Sequence, residues 1–438
     1  MPTIISTDPW RASIARRSMR GLALWVIAVL PAVAAGETSV LTLEQALVRA
    51  TSNGSAALLA SAERERAAAR AQQARAWENP TLSVEVENIL GRGPYRDFDA
   101  AESTVSLSQP LPLGGGRGAR LRAAQADEQA ATAAVALAAV ELRRDLVIAY
   151  AQAVAADRLA ALGRERAALG VQTRAAVERR HAAGLESDLQ RARVEVETAG
   201  LQAEARRSAA AALAHRRALA AHWREETVTA PLDEAWFDAV SPAATGSGVT
   251  ASSTDTAHGT GVAHPRLVVA HARVDQARAD LEAARRAPFS GLEATVGTRR
   301  FEDAPGADRA WVIGLSMPLP VWDRNEAGIA EARAALQGAE LDAERLTRDL
   351  AAGRETAQAE LEAARLEADA LLTSGLPAAA SAARLAAQGY EAGRLSLLER
   401  LDAERAWVQT QEQLVSARLR LRTAEAQLTA LQASSTAR

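Results

Sequence analysis

The chain contains no cysteine and no lysine, and aromatic residues make up only 3% of its 438 positions. Without cysteine there are no disulfides, no thiolate nucleophile and no thiolate metal ligands. Without lysine, a phosphate-binding glycine loop that ends in Lys is excluded. The net charge is −3, and no basic patch interleaved with aromatics offers itself to a nucleic acid. Long apolar runs are scarce too. Past residue 33 there is no stretch of about 18 consecutive apolar residues, so any later crossing of a bilayer is expected to use strands.

The exception lies at the start. Arg16, Arg17 and Arg20 precede the apolar run Gly21 to Val33, and Ala32-Val33-Ala34 supplies small residues for cleavage. Residues 1–34 are therefore read as a secretory signal peptide, and with no cysteine after the run no lipid attachment is expected there. What is abundant is alanine beside charge. Hydrophobic residues make up 48% of the chain, many of them Ala, and charged residues 24%, a composition suited to long, closely packed helices and not to one globular core.

Helical patterning starts with TLEQAL, where Thr42 suits an N-cap and Gln45 the capping-box position. A second helix is predicted from Ser55 to about Trp77, ended by Asn79-Pro80. From Arg117 to about Ala183 the pattern runs without a break, roughly 100 Å at 1.5 Å per residue. Leu142, Leu146, Ala149 and Ala153 form its apolar stripe, and Leu414, Leu421 and Leu428 recur at coiled-coil spacing in the last helix. Pro377, after Gly375, predicts a kink in the helix that begins near Asn325.

Two hairpins interrupt this pattern. Leu82, Val84 and Val86 alternate with Ser83, Glu85 and Glu87, and Ser103, Val105 and Leu107 with polar neighbours, giving strands over about 81–90 and 102–110. Leu292, Ala294 and Val296, then Trp311, Ile313, Leu315 and Met317, repeat the device over about 290–299 and 310–318. Pro80 and Pro288, Pro110 and Pro318, and Pro112 and Pro320 each stand 208 residues apart. The chain is a tandem duplication, residues 35–240 and 266–438, joined by a Ser/Thr/Gly-rich connection at 241–265 without periodicity.

Each half also turns between helices, at 183–188 and 392–397, where Gly184 and Gly393 suit helix C-termini and Ser187 and Ser396 suit N-caps. Strands of about nine residues match the length of a tilted strand crossing a bilayer. Four strands leave open edges, which cannot exist in lipid, so several copies must share one barrel. Two would supply a small one and three would give twelve strands. A conduit is the function this implies. A pore-less periplasmic coiled-coil adaptor is the competing reading, and it gives no reason for four alternating strands.

The stretches ENPTLSVEVENILG (78–91), FDAAESTVSLSQPLPLGGGRGAR (98–120), GLSMPLPVWDRNEAGIAEA (314–332) and GYEAGRLSLLERLDAERA (389–406) resemble the TolC-like outer-membrane efflux protein family. The Val-Glu-Val-Glu-Asn strand and the Ser-Gln-Pro-Leu-x-Leu-Gly-Gly run resemble its cobalt/zinc/cadmium branch. The branch's common acidic residue and Lys are absent at LPLGGG. The resemblance implies a mainly α fold with a small β part: antiparallel coiled-coil helices forming a trimeric α-barrel, and four transmembrane strands per chain completing a twelve-stranded β-barrel. It implies a homotrimer in outer-membrane lipid, whose periplasmic tip meets an adaptor (membrane fusion) protein and, through it, a proton-driven inner-membrane pump of the resistance-nodulation-division class. Heavy-metal cations are the implied cargo, with drugs or secreted proteins as the alternative.

On that resemblance, adaptor contact falls at Gly184, Leu185, Ser187, Asp188 and Leu189, and at Gly393, Arg394, Leu395, Ser396 and Leu397. Glu186, Asp188, Glu399 and Asp402 are candidate cation-attracting acids, since symmetry would repeat each into a ring. No enzymatic activity, cofactor or dedicated metal site is expected. The histidines at 181, 215, 222, 258, 264 and 271 are scattered, with His215 and His222 a weak pair at best, and no Ser/His/Asp set stands out.

Overall fold

A computed structural model of the chain describes residues 40–96, 98, 100–112, 115–239, 263–289, 291–302 and 308–434. The signal peptide expected at 1–34, most of the 241–265 connection and His258 lie outside these residues. From Val40 on, the chain is one unit in which each half runs helix, two strands, long helix, turn, helix.

In the first half α1 (Leu43–Asn53) and α2 (Ser55–Arg75) lead into β1 (Thr81–Glu87) and β2 (Glu102–Leu111). α3 (Gly116–Ala182) and α4 (Asp188–Ala221) follow, then the short α5 (Glu234–Asp238). The second half repeats this as α6 (Pro265–Arg286), β3 (Leu292–Phe301), β4 (Asp308–Ser316), α7 (Glu326–Ala370), α8 (Leu376–Glu391) and α9 (Leu397–Gln432). Thr42 and Gln45 form the expected capping box on α1. α3 has the predicted length, 67 residues.

Pro377 acts as predicted, in a specific form. Between α7 and α8 the residues Leu371–Gly375 make a π turn, and Leu376 N–H reaches the carbonyl of Leu371. Proline lacks the N–H that would continue the ladder, and the wider turn re-pairs the neighbouring groups.

The largest core lies half-way along α3. Tyr150, Ala151, Ala153, Val154 and Ala155 are buried on every side of the helix, against Leu41, Ala46, Ala50, Leu219, Trp223, Phe237 and Val415. The stripe of Leu142, Leu146 and Ala153 is part of it, as expected. The Tyr150 hydroxyl donates to the carbonyl of Leu41 at 2.6 Å and accepts from Asp233 N–H at 2.7 Å, and burial pushes its pKa up to about 12. By composition, α3 does hold a window apolar enough to span a bilayer. The expectation based on consecutive apolar residues passed over it because its apolarity is mostly spaced alanine, and α3 packs along α2, α4, α6 and α9.

Both ends of the inter-repeat connection are tied at this level. Arg422 donates to the carbonyls of Trp236 and Ala239, and Arg158 and Arg418 pair with Asp238. His264 caps α6 and its Nε2 meets the carbonyl of Ala430 at 2.9 Å.

Candidate functional site

The strands form one antiparallel sheet in the order β1-β2-β3-β4, so β1 and β4 are open edges. Cross-strand register sorts the residues onto two faces. Leu82, Leu107, Val296 and Ile313 share one row, and Val84, Val105, Thr298 and Trp311 the next. This face is apolar and uncovered: Ile313 is 83% and Trp311 76% exposed. The period-two pattern dictates it, since alternate residues of a strand must share a face.

The opposite face is polar and more enclosed, with Thr104 only 6% exposed. Its rows hold Glu87, Glu102, Phe301 and Asp308, then Glu85, Thr104, Arg299 and Ala310, with Glu293 near the helical end. Arg299 pairs with Glu102 at 3.0 Å and Glu87 at 3.3 Å and donates to the Thr104 hydroxyl at 2.9 Å. Glu85, Glu293 and Asp308 have no cationic partner among the described residues. Acid therefore exceeds base on this face. Gly297 sits at its centre, where an added Cβ would lie 2.6 Å from the carbonyl oxygen of Val105 and 2.7 Å from Ser106 Cβ. β1 is shorter than the strand expected over 81–90. It stops at Glu87 because Asn88 and Leu90 take left-handed backbone conformations, with φ of 59° and 56°.

At the other end of the helices the two predicted turns have the same build. Gly184 and Gly393 have φ of +74° and +71°, the left-handed closure that glycine permits. Ser187 caps α4 with Gln190, and Ser396 caps α9 with Glu399, each as a reciprocal capping box. Leu185 is 66% and Leu189 71% exposed, and Leu395 is at the edge of exposure at 36%. Ser187, Asp188, Arg394 and Ser396 also lie on the surface. Leu397 does not. It is 3% exposed and packs with Val177, Val194, Tyr390 and Leu401, because the Ser396 cap fixes the phase of α9 and puts positions 397 and 401 on one inward face. Its neighbour Leu398 is exposed instead.

The four candidate acids separate in the same way. The Glu186 carboxylate is 5% exposed, paired with Arg180 at 3.1 Å, and accepts the Tyr390 hydroxyl at 3.0 Å. Glu399 is occupied by its cap. The backbone N–H and hydroxyl of Ser396 hold its pKa below the usual carboxylate value. Asp188 and Asp402 remain largely in solvent, beside Arg191 and His181, and Arg405, respectively. The tip is thus closely charge-matched.

Tyr390 was not singled out from sequence. It joins the two halves, lying between the guanidinium groups of Arg180 and Arg400 at 5.0 and 5.4 Å from its ring centre. Burial pushes its pKa up, and the Glu186 carboxylate pushes it further. Its place inside the GYEAGRLSLLERLDAERA stretch was the available signal. Among the described residues no group of three or more His, Asp or Glu is arranged to hold a metal. Burial lowers the pKa of His222, and among the described residues His215 and His222 join no metal-holding group.

The sequence profile described as outer membrane efflux protein matches residues 46–222 and 262–434. The cobalt-zinc-cadmium resistance protein CzcC of Cupriavidus metallidurans is 27% identical over 87% of this chain and 86% of its own length. The nickel-cobalt-cadmium resistance protein NccC of Alcaligenes xylosoxydans xylosoxydans is 31% identical over 64% of this chain and 61% of its own. The crystal structure of the Campylobacter jejuni CmeC outer membrane channel superimposes with a TM-score of 0.71 at 12% identity, over 89% of this chain and 85% of that one.

Proposed function

The chain belongs to the outer membrane efflux protein family, and from that membership we propose that it forms the outer-membrane exit duct of a tripartite pump exporting heavy-metal cations. It is an outer-membrane protein whose helices stand in the periplasm. The observation that carries the proposal is the sheet, with an uncovered apolar face, an acid-rich polar face and two unpaired edges.

An unpaired edge in hydrocarbon leaves backbone groups unsatisfied, so the strands must close with those of other copies. Two copies would make eight strands, whose interior side chains fill. Three make twelve, with the acidic face inward around a water-filled lumen. Glu85, Glu293 and Asp308 would then recur as rings that raise the local concentration of cations without caging them.

The relatives CzcC and NccC, named for cobalt, zinc, cadmium and nickel resistance, support the cargo class. An adaptor protein reaches the exposed turn residues Leu185, Leu189, Arg394, Leu395 and Leu398, and an inner-membrane resistance-nodulation-division pump supplies the driving force. The duct itself does no chemistry. Deleting the chain and challenging cells separately with zinc, cobalt, cadmium, nickel and hydrophobic drugs tests the cargo. Sensitivity to the metals is expected, and sensitivity confined to drugs refutes the assignment.

A further inference from the structure

The apolar face ends, toward the loops, in a charged row. Arg300 of β3 and Arg309 of β4 are direct cross-strand partners, with Ser103 beside them, two residues beyond the row of Trp311. They share the face of Trp311 and Ile313, so they point outward from the barrel. Both are exposed, and the helices leave from the other end of the sheet, so this row lies at the outer leaflet. Like charges directly opposite one another destabilise a strand pair. Arg300 has Glu302 at 3.0 Å, and Arg309 has no acidic partner among the described residues. A neighbouring copy closing on β4 with its β1 would bring Leu82, Val84 and Val86 to this face, while Glu85 and Glu87 fall on the other.

We propose that Arg300 and Arg309 bind a phosphate of the phosphorylated glycolipid that forms the outer leaflet of the outer membrane, with Trp311 against the sugar–acyl boundary. Two guanidinium forks side by side match a phosphate's oxygens, and a cation on a barrel's lipid face costs little at this depth and far more at the midplane. The inference rests on the sheet crossing the outer membrane and is independent of cargo.

The test is titration of the purified oligomer in detergent with bisphosphorylated lipid A, dephosphorylated lipid A and inorganic phosphate, for the natural chain and for Arg300→Gln/Arg309→Gln. Each basic residue at an anionic surface is worth roughly fivefold in affinity. The double variant is therefore expected to bind bisphosphorylated lipid A about 25-fold more weakly, with dephosphorylated lipid A bound equally weakly by both proteins. Inorganic phosphate at millimolar concentration is expected not to compete. Arg300→Lys/Arg309→Lys should recover part of the affinity, and in detergent free of glycolipid the Gln variant should melt no lower than the natural chain. Equal binding by both proteins, indifference to the lipid's phosphates, full competition by inorganic phosphate, or a Gln variant that falls apart without glycolipid present would each overturn the site. Oligomer mass and single-channel conductance, unchanged in the variant, separate failure of this site from failure of the duct.

Discussion

At the residue scale, the tip is held by a few side chains whose removal has calculable consequences. Ser187 and Ser396 each satisfy an N-terminal N–H of a long helix, and Ser396→Ala should cost about 1 kcal/mol, read as a fall in the denaturant midpoint. Glu186→Ala leaves Arg180 and the Tyr390 hydroxyl without their shared acceptor. It should cost about 2 kcal/mol, whereas Tyr390→Phe removes one hydrogen bond and should cost less; equal effects would mean that the carboxylate matters only to the tyrosine.

His264 gives a pH dependence. Its Nδ1 accepts from Arg266 N–H at 3.1 Å while Nε2–H donates to Ala430, so the neutral ring satisfies both partners. Burial lowers its pKa in the folded chain. The unfolded chain then takes up the proton more readily. The contribution is complete above the ordinary imidazole value, about 6.5, and is lost as pH falls through the lower folded value. Melting temperature should drop between pH 7 and pH 5 more steeply in the natural chain than in His264→Asn, which keeps a capping oxygen. His222, also lowered by burial, leaves a residual slope in both. Parallel pH profiles would remove His264 from this role.

At the scale of elements, Gly297 decides how closely β2 and β3 approach. Gly297→Val places methyl groups where the Val105 carbonyl and Ser106 already stand, and it should abolish assembly into oligomers in outer membranes. Gly314→Val, on the same face with its nearest atom, Thr295 Cβ, at 3.6 Å, should assemble normally. Assembly of both variants would show that the sheet can relax around the added side chain.

Much of this level was legible in the sequence because it depends on local rules. Alternation gave the strand faces, and a serine three residues after each turn glycine gave the caps at Ser187 and Ser396. Proline spacing gave the repeat. What was not legible depended on three-dimensional juxtaposition. The early end of β1 follows from backbone angles at Asn88 and Leu90. The burial of Leu397 follows from helix phase, which the cap sets but the motif does not announce. The wrap of α1 and α5 around Tyr150 brings together residues more than 80 positions apart. Candidate cation-attracting acids were sought at the tip, where carboxylates are conspicuous. Glu85, Glu293 and Asp308, which have no cationic partner among the described residues, lie on the sheet, where alternation hides them among Ser and Thr.

At the scale of the whole molecule, the acid excess on the enclosed face should make the open pore cation-selective. Glu85→Gln/Glu293→Gln/Asp308→Asn removes acids that do not support Arg299, and it should move the reversal potential in a planar bilayer toward zero without changing assembly. An unchanged potential would place selectivity elsewhere in the conduit. The proposed duct requires one chain to be only part of a wall. The apolar face of β1 to β4 needs lipid, and the two edges need other copies. The most direct measurement is the mass and solubility of the purified mature chain. A particle of three copies that requires detergent is the predicted result, and a single chain that stays dissolved in plain buffer would contradict it.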